Sequence, residues 1–215
     1  IPFKELQNVL ANFIDSALCQ NEKLISFHEE NRYKFYSIGT LWPVERGMTY
    51  KKDQIYALTV RTTDAELARY FSDVLRNHYT KIIKGLTVEN RIIPRKRIGE
   101  LIALSPVIIK SDEGYWRSHM SLDEYEKRLF ANTVKKYNSF TGEQIEEDFP
   151  LYTNITFLNK HPIVCGYKNI SLLGDKLRLQ IADDEKSQEL AYFILGTGLG
   201  EANSRGAGFC NFRWI

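Results

Sequence analysis

The chain has 215 residues, 43% of them hydrophobic and 26% charged, with a formal net charge of +2. That length allows one large domain or two of about 100 residues, with enough apolar side chains to bury a core. No apolar run approaches the ~20 residues of a membrane span, and the N-terminus lacks the basic flank and apolar core of a signal peptide. These features point away from a membrane and towards the cytoplasm. Cys19, Cys165 and Cys210 are odd in number and far apart. They suit a reducing compartment, form no C-x-x-C pair, and read as small core hydrophobes.

In chain order, residues 5–18 place Leu6, Val9, Leu10, Phe13, Ile14, Ala17 and Leu18 on one helical stripe. A polar loop follows, and then residues 33–41 and 54–62 read as strands, the second alternating through Tyr56, Leu58 and Val60. Thr63-Asp64-Ala65-Glu66 is a capping box opening a helix with Leu67, Phe71, Val74 and Leu75 inward. Residues 81–88 and 91–98 look like a further pair of strands. This is α-β-β-α-β, a ferredoxin-like unit without its opening strand.

The second half repeats the plan. A strand lies within 98–110, a helix spans 122–137, and strands occupy 154–158, 163–172 and 176–181. A helix from Glu185 to about Leu195 and an aromatic strand at 207–214 close the chain. The predicted fold is α+β, two tandem ferredoxin-like (RRM-like) β-α-β-β-α-β domains over residues 1–97 and 98–215, with the first strand of the first missing. An open sheet edge is a liability, so the first unit is expected to be compromised or the natural chain to be longer.

Charge is unevenly spread. Arg76, Lys81, Lys84, Arg91, Arg95, Lys96 and Arg97 face a lone Glu89, while acids gather at 143–148 and 183–185. Such asymmetry makes a local positive field that draws nucleic acid without a basic whole. A charge run is also, more blandly, a solvated face.

Near the C-terminus, Gly198-Leu199-Gly200 and Gly206-Ala207-Gly208 flank five residues that include Asn203 and Arg205. Glycines tolerate positive φ, so such a turn can aim backbone N–H groups at an anion, with Arg205 as the fixed charge and Asn203 as a neutral donor. The plain alternative is a tight turn. A dinucleotide fingerprint fails, because its third glycine comes a residue early and no long helix follows. No P-loop sequence occurs.

This glycine spacing resembles the glycine-rich loop of the RAMP superfamily of CRISPR-associated proteins. The branch that fits most of the chain is the endoribonuclease that cuts CRISPR repeat transcripts into guide RNAs. Leu104-Ser105-Pro106-Val107-Ile108-Ile109 resembles its mid-chain Ser-Pro strand, and residues 132–137, with Lys135-Lys136-Tyr137, its following helix. Residues 28–37 resemble its catalytic stretch, where a histidine precedes a lysine and an aromatic–Ser strand. The resemblance implies His28 as general acid/base and Lys34 as transition-state cation. Taken with the basic segment and the glycine turn, it points to an RNA surface of Arg95, Lys96, Arg97, Gly198, Gly200, Asn203, Arg205, Gly206 and Gly208. The partner it implies is CRISPR repeat RNA, with an effector complex beyond it, and no cofactor.

The chemistry fits the residue types. A ribonuclease working without metal needs a group to take the 2′-hydroxyl proton, one to protonate the leaving 5′-oxygen, and a cation for the phosphate. Histidine, with an ordinary pKa of about 6.5, serves both proton roles. The histidines and cysteines lack metal-ligand spacing, so no metal site is expected. Tyr33 and Tyr36 read as packing residues first and hydroxyl donors second. His78 at a helix end reads as a partner of the helix dipole. His119 is a reserve catalyst in a polar, aromatic loop, and His161 lies in a turn. Arg61 and Arg213 are weaker RNA candidates, since a strand arginine also pairs with acids. Two rivals remain: a non-catalytic RNA-binding subunit of the same fold, and a small-molecule enzyme on that fold.

Overall fold

The computed structural model describes all residues but 31, 168 and 169, and the side chains of all others except residues 26–29, 167 and 170. The chain begins with helix α1, Phe3–Leu18, which buries the expected stripe of Leu6, Leu10, Phe13, Ile14, Ala17 and Leu18. Residues expected to be a polar loop instead form a second helix, α2, Glu22–Glu29. Strands β1, Tyr36–Trp42, and β2, Ala57–Thr62, pair antiparallel as a two-stranded sheet. Helix α3, Ala65–Leu75, follows directly. Its cap is Asp64, whose carboxylate accepts from the N–H groups of Glu66 and Leu67, so the expected Thr63–Glu66 box gives way to a simpler one.

The strands expected at 81–88 and 91–98 do not form a ladder; only an isolated bridge joins Tyr79 and Lys84. The backbone bonds there stay local. Thr80 N–H donates to Ile83 O, and Gly85 N–H folds back onto His78 O. The remainder of that stretch runs to the second unit, where the Tyr192 hydroxyl donates to Ile93 O.

Residues from 98 onward build a four-stranded sheet. Strands β3 (Ile98–Ala103), β4 (Tyr152–Phe157), β7 (Leu177–Ile181) and β8 (Cys210–Trp214) stand in the order β4-β7-β3-β8, every pair antiparallel. Helix α4, Leu122–Thr141, joins β3 to β4, and α5, Glu185–Thr197, joins β7 to β8. This is the β-α-β-β-α-β order of a ferredoxin-like unit. Strands β5 (Ile163–Tyr167) and β6 (Ile170–Gly174) form an inserted hairpin where a single strand over 163–172 was expected. Residues 168 and 169, between the two strands, lie outside the described ones. Ser121 and Glu124 form a reciprocal capping box that starts α4, and Gly142 in the left-handed region ends it.

Each unit has its own core. Leu10, Phe13, Ile14, Tyr36, Ile38, Leu67 and Phe71 fill the first; Ile98, Leu101, Tyr125, Leu129, Leu179, Leu190 and Ile194 fill the second. Helix α5 packs against β1 and β2 as well as β3, β7 and β8, so it serves both. Ser37 Oγ donates to Gly196 O at 3.1 Å, and the Arg61 guanidinium donates to Cys210 O while lying 4.6 Å from the Phe209 ring centre. Arg61 is thereby a tie between units. Cys165 and Cys210 are buried as expected, whereas Cys19 is exposed, at the C-terminal end of α1 where the chain turns to solvent.

Candidate nucleic-acid interface

The glycine turn is built to fold against itself. Gly198, Gly200, Gly206 and Gly208 all have positive φ, and a Cβ on Gly208 would lie 1.9 Å from Leu199 O. A Cβ on Gly200 would lie 2.6 Å from Ile108 O. Asn203 opens a short 3₁₀ turn, Asn203–Arg205, and is buried. Its amide nitrogen donates to Leu199 O and Ala207 O, bridging the two glycine pairs. The side chain read as a donor for an outside anion is therefore an internal brace.

Two other elements grip the turn. From α4, Lys136 Nζ donates to Gly198 O (2.7 Å), Gly200 O (2.9 Å) and Asn203 Oδ1 (3.0 Å), leaving Lys136 buried. Burial pushes this ammonium down to about 7, against the pull of Glu201. From α1, Gln7 Nε2 donates to Gly206 O, and Asp15 forms an ion pair with Arg205.

Beside the turn opens a cleft of about 810 Å³. Its described lining carries Arg32, Lys34, Lys110, Arg128, Lys135, Lys136 and Arg205 against the single acid Glu201. Glu201 itself is held by the Lys110 N–H. Tyr33, Phe35, Tyr36 and Asn132 line the same space. The Lys34 ammonium donates to Glu30 O at 2.8 Å. Partial burial lowers its pKa, the Arg32 and Arg205 charges lower it further, and Glu30 and Asp15 oppose. A concave surface with this excess of cations concentrates polyanions.

The structure thus brings Lys34, Gly200, Asn203 and Arg205 onto one cleft. Gly198, Gly206 and Gly208 lie buried behind it. His28 sits on α2 rather than in a loop, and its side chain lies outside the described ones. Arg95, Lys96 and Arg97 are not among the lining residues. Arg95 pairs with Glu189 at 2.8 Å and lies 5.1 Å from the Tyr192 ring centre, and Arg97 pairs with Asp183. Arg213 pairs with Glu100 at 3.4 Å.

His78 is no dipole partner. It is buried between Ser16 Oγ (2.7 Å) and Gln20 Nε2 (2.8 Å), and burial lowers its pKa, favouring the neutral ring. Tyr36 is a core residue, whereas Tyr33 is half-buried on the cleft wall. Among the described residues no cluster of His, Cys, Asp or Glu could hold a metal ion, and no helix is long and apolar enough to cross a membrane.

Sequence reasoning passed over Arg32, Lys110 and the α4 face. That face had a signal: Arg128, Asn132, Lys135 and Ser139 recur at steps of four, three and four, which is one side of a helix.

Comparison with known proteins adds the following. Residues 88–212 match the family model described as CRISPR associated protein Cas6, C-terminal. The chain is 23% identical over 223 residues to a protein of Methanocaldococcus jannaschii named CRISPR-associated endoribonuclease Cas6 2, covering 95% of this chain and 91% of that one. A solved structure titled CRISPR associated protein Cas6 superposes with a TM-score of 0.70 at 21% identity, over 99% of this chain and 93% of the other. Another, titled an RAMP protein binding different RNA substrates, gives 0.70 at 15% identity with the same coverages. The structural likenesses carry the fold, and the family model spans more than half of the sequence. This chain belongs to the Cas6 family of CRISPR-associated proteins.

Proposed function

We propose that this chain is a metal-independent endoribonuclease that cuts CRISPR repeat RNA into guide RNAs in the cytoplasm and delivers them to an effector complex. The observation that carries the reading is Lys34 on the wall of a cationic cleft that Arg205 of the glycine turn also lines. The names of the relatives and the resemblance of residues 28–37 to the family's catalytic stretch support it. We divide the chain after residue 97, with 1–97 and 98–215 as the two ferredoxin-like units and the cleft where they meet.

In the proposed step, a 2′-oxygen attacks the adjacent phosphorus and gives its proton to a base. The bond from phosphorus to the 5′-oxygen breaks, and that oxygen takes a proton. The products are a 2′,3′-cyclic phosphate and a 5′-hydroxyl. His28 exchanges the protons, and Lys34 stabilises the charge that builds on the phosphoryl oxygens. Arg128, Lys135, Lys110 and Arg205 hold the flanking phosphates, with the backbone of Gly198, Gly200, Gly206 and Gly208 shaping the turn and Asn203 bracing it. Arg95, Lys96 and Arg97 receive RNA that leaves the cleft.

The test is incubation with RNA of the repeat in EDTA, with the new 3′ end identified by mass. A 2′-deoxy nucleotide just upstream of the cut should abolish cleavage and spare binding. H28A should do the same, and K34A should slow the chemical step by roughly 10–100-fold. Unchanged cleavage by H28A refutes the assignment. Binding with no cleavage by the native protein leaves the rival reading, an RNA-binding subunit.

A further inference from the structure

We propose that the cleft takes an unpaired RNA nucleotide, its base lying on the Tyr33 ring with an edge donor directed at Asn132 Oδ1. The inference rests on the RNA reading above and adds which form of RNA the cleft accepts.

Tyr33 lines the cleft between two cations, Arg32 and Lys34. Its ring is half-buried, with Phe35 6.4 Å away and tilted by 42°. Phe35 is in turn braced edge-on by Phe140 at 5.1 Å, and Phe140 by Phe193 at 5.6 Å. A chain of rings thus runs from the core to the cleft wall and stiffens its last member.

The backbone that presents Tyr33 is held in an uncommon state. Phe35 has φ of +45°, a conformation that costs a bulky side chain about 1–3 kcal/mol and persists only where its surroundings impose it. Here Thr62 Oγ1 donates to Phe35 O at 2.8 Å, and Thr63 N–H approaches the same oxygen. Such clamped strain is common where a protein must aim side chains at a ligand, and the residues aimed are Tyr33 and Lys34.

On the same cleft, Asn132 Oδ1 is buried and has no hydrogen-bond partner among the described residues. A buried acceptor left unsatisfied costs about 1–3 kcal/mol, which a base amino or imino N–H would recover. Asn132 stands on the α4 face between Arg128 and Lys135, which suit the phosphates on either side.

These parts select for single strands. In an A-form duplex the bases are stacked on each other and show no face to a protein ring, whereas unpaired bases splay out and stack on aromatic side chains. Cations alone would bind both forms.

The experiment measures affinity by fluorescence anisotropy for a labelled single-stranded RNA and for a blunt duplex of the same sequence. Native protein, Y33A, Y33F and N132A are compared. Y33A should lose about 5–100-fold for the single strand and leave duplex affinity unchanged, while Y33F, which keeps the ring, restores single-strand affinity. N132A should lose roughly 2–10-fold for the single strand. An abasic ribose at the position seated on Tyr33 should erase the difference between native protein and Y33A. Native single-strand affinity in Y33A, or an equal loss for both RNAs, overturns the inference while the RNA reading stands. Absence of binding to either RNA by the native protein overturns both.

Discussion

Lys136 Nζ and Asn203 Oδ1 meet at 3.0 Å, both side chains buried, and through this contact helix α4 holds the glycine turn in shape. The same ammonium reaches the carbonyls of Gly198 and Gly200. In K136M these three oxygens lose their donor. At about 1–3 kcal/mol for each orphaned acceptor, partly relieved by relaxation, we expect a loss of roughly 2–4 kcal/mol in urea unfolding. A variant within 0.5 kcal/mol (roughly the noise of such a fit) would show that the turn stands without the lysine.

The same residue sets a pH dependence. Its pKa is about 7 in the fold against an ordinary 10.5. Between these values the unfolded chain holds a proton that the native state has released, so the Lys136 contribution to stability rises with pH across that window. The rise is up to about 1.4 kcal/mol per pH unit. The gap in unfolding free energy between the native protein and K136M should therefore widen from pH 7 to pH 9. A constant gap would mean that the amine stays charged.

Gly208 and Gly142 separate backbone strain from close packing. Both have positive φ, but a Cβ on Gly142 meets nothing within 4 Å, whereas one on Gly208 would strike Leu199 O. G142A should cost about 1 kcal/mol and G208A roughly 2–5 kcal/mol. Melting temperatures should fall accordingly, by about 2–4 °C per kcal/mol. Equal shifts would mean that the turn opens to admit the methyl group.

Asp15 tempers Arg205. The pair is mostly shielded from solvent, with the two side chains 16% and 23% exposed. D15N keeps the shape and removes the competing charge, so RNA should bind more tightly, by about 2–5-fold. The slope of log affinity against log salt should steepen by up to about 0.7, and R205A should flatten it by a similar amount. Unaltered slopes in both variants would exclude Arg205 from the RNA contact.

Cleft and ridge can be ranked in the same assay. R128A–K135A should flatten the salt slope by about 1.4, two single-strand phosphate contacts. R95A–R97A should flatten it less, because Glu189 and Asp183 already engage those arginines. The reverse ranking would move the RNA path to the outer face of the second unit.

The helices and the four-stranded sheet were legible because their apolar spacing answers to burial, which periodicity reports. Helix α2 was not, since its eight residues carry too few apolar positions to mark a stripe in the sequence. Residues 79–97 alternate like strands, yet several of their apolar side chains, such as Ile82, Leu86 and Ile92, are exposed, and the backbone bonds at 78–85 close locally. At the site, the glycine turn could be read as a turn that wants positive φ. Where Asn203 points could not be read, since an amide that braces a loop and one that greets a ligand look alike in sequence. Lys136 was hidden for a related reason: a lysine beside Lys135 reads as solvated charge until three carbonyl-type oxygens are seen converging on it.

Helix α5 makes the two halves of the chain dependent on each other. Ser37 and Arg61 from the first half close onto the carbonyls of Gly196 and Cys210 from the second. Severed at residue 97, the first fragment would present the α5-covered side of β1 and β2 to water, and the second would lose the cover over its last helix. Neither should melt sharply alone, and the two expressed together should copurify as one particle. The chain is thus a single body in space, able to evolve a new groove only by changing both of its halves.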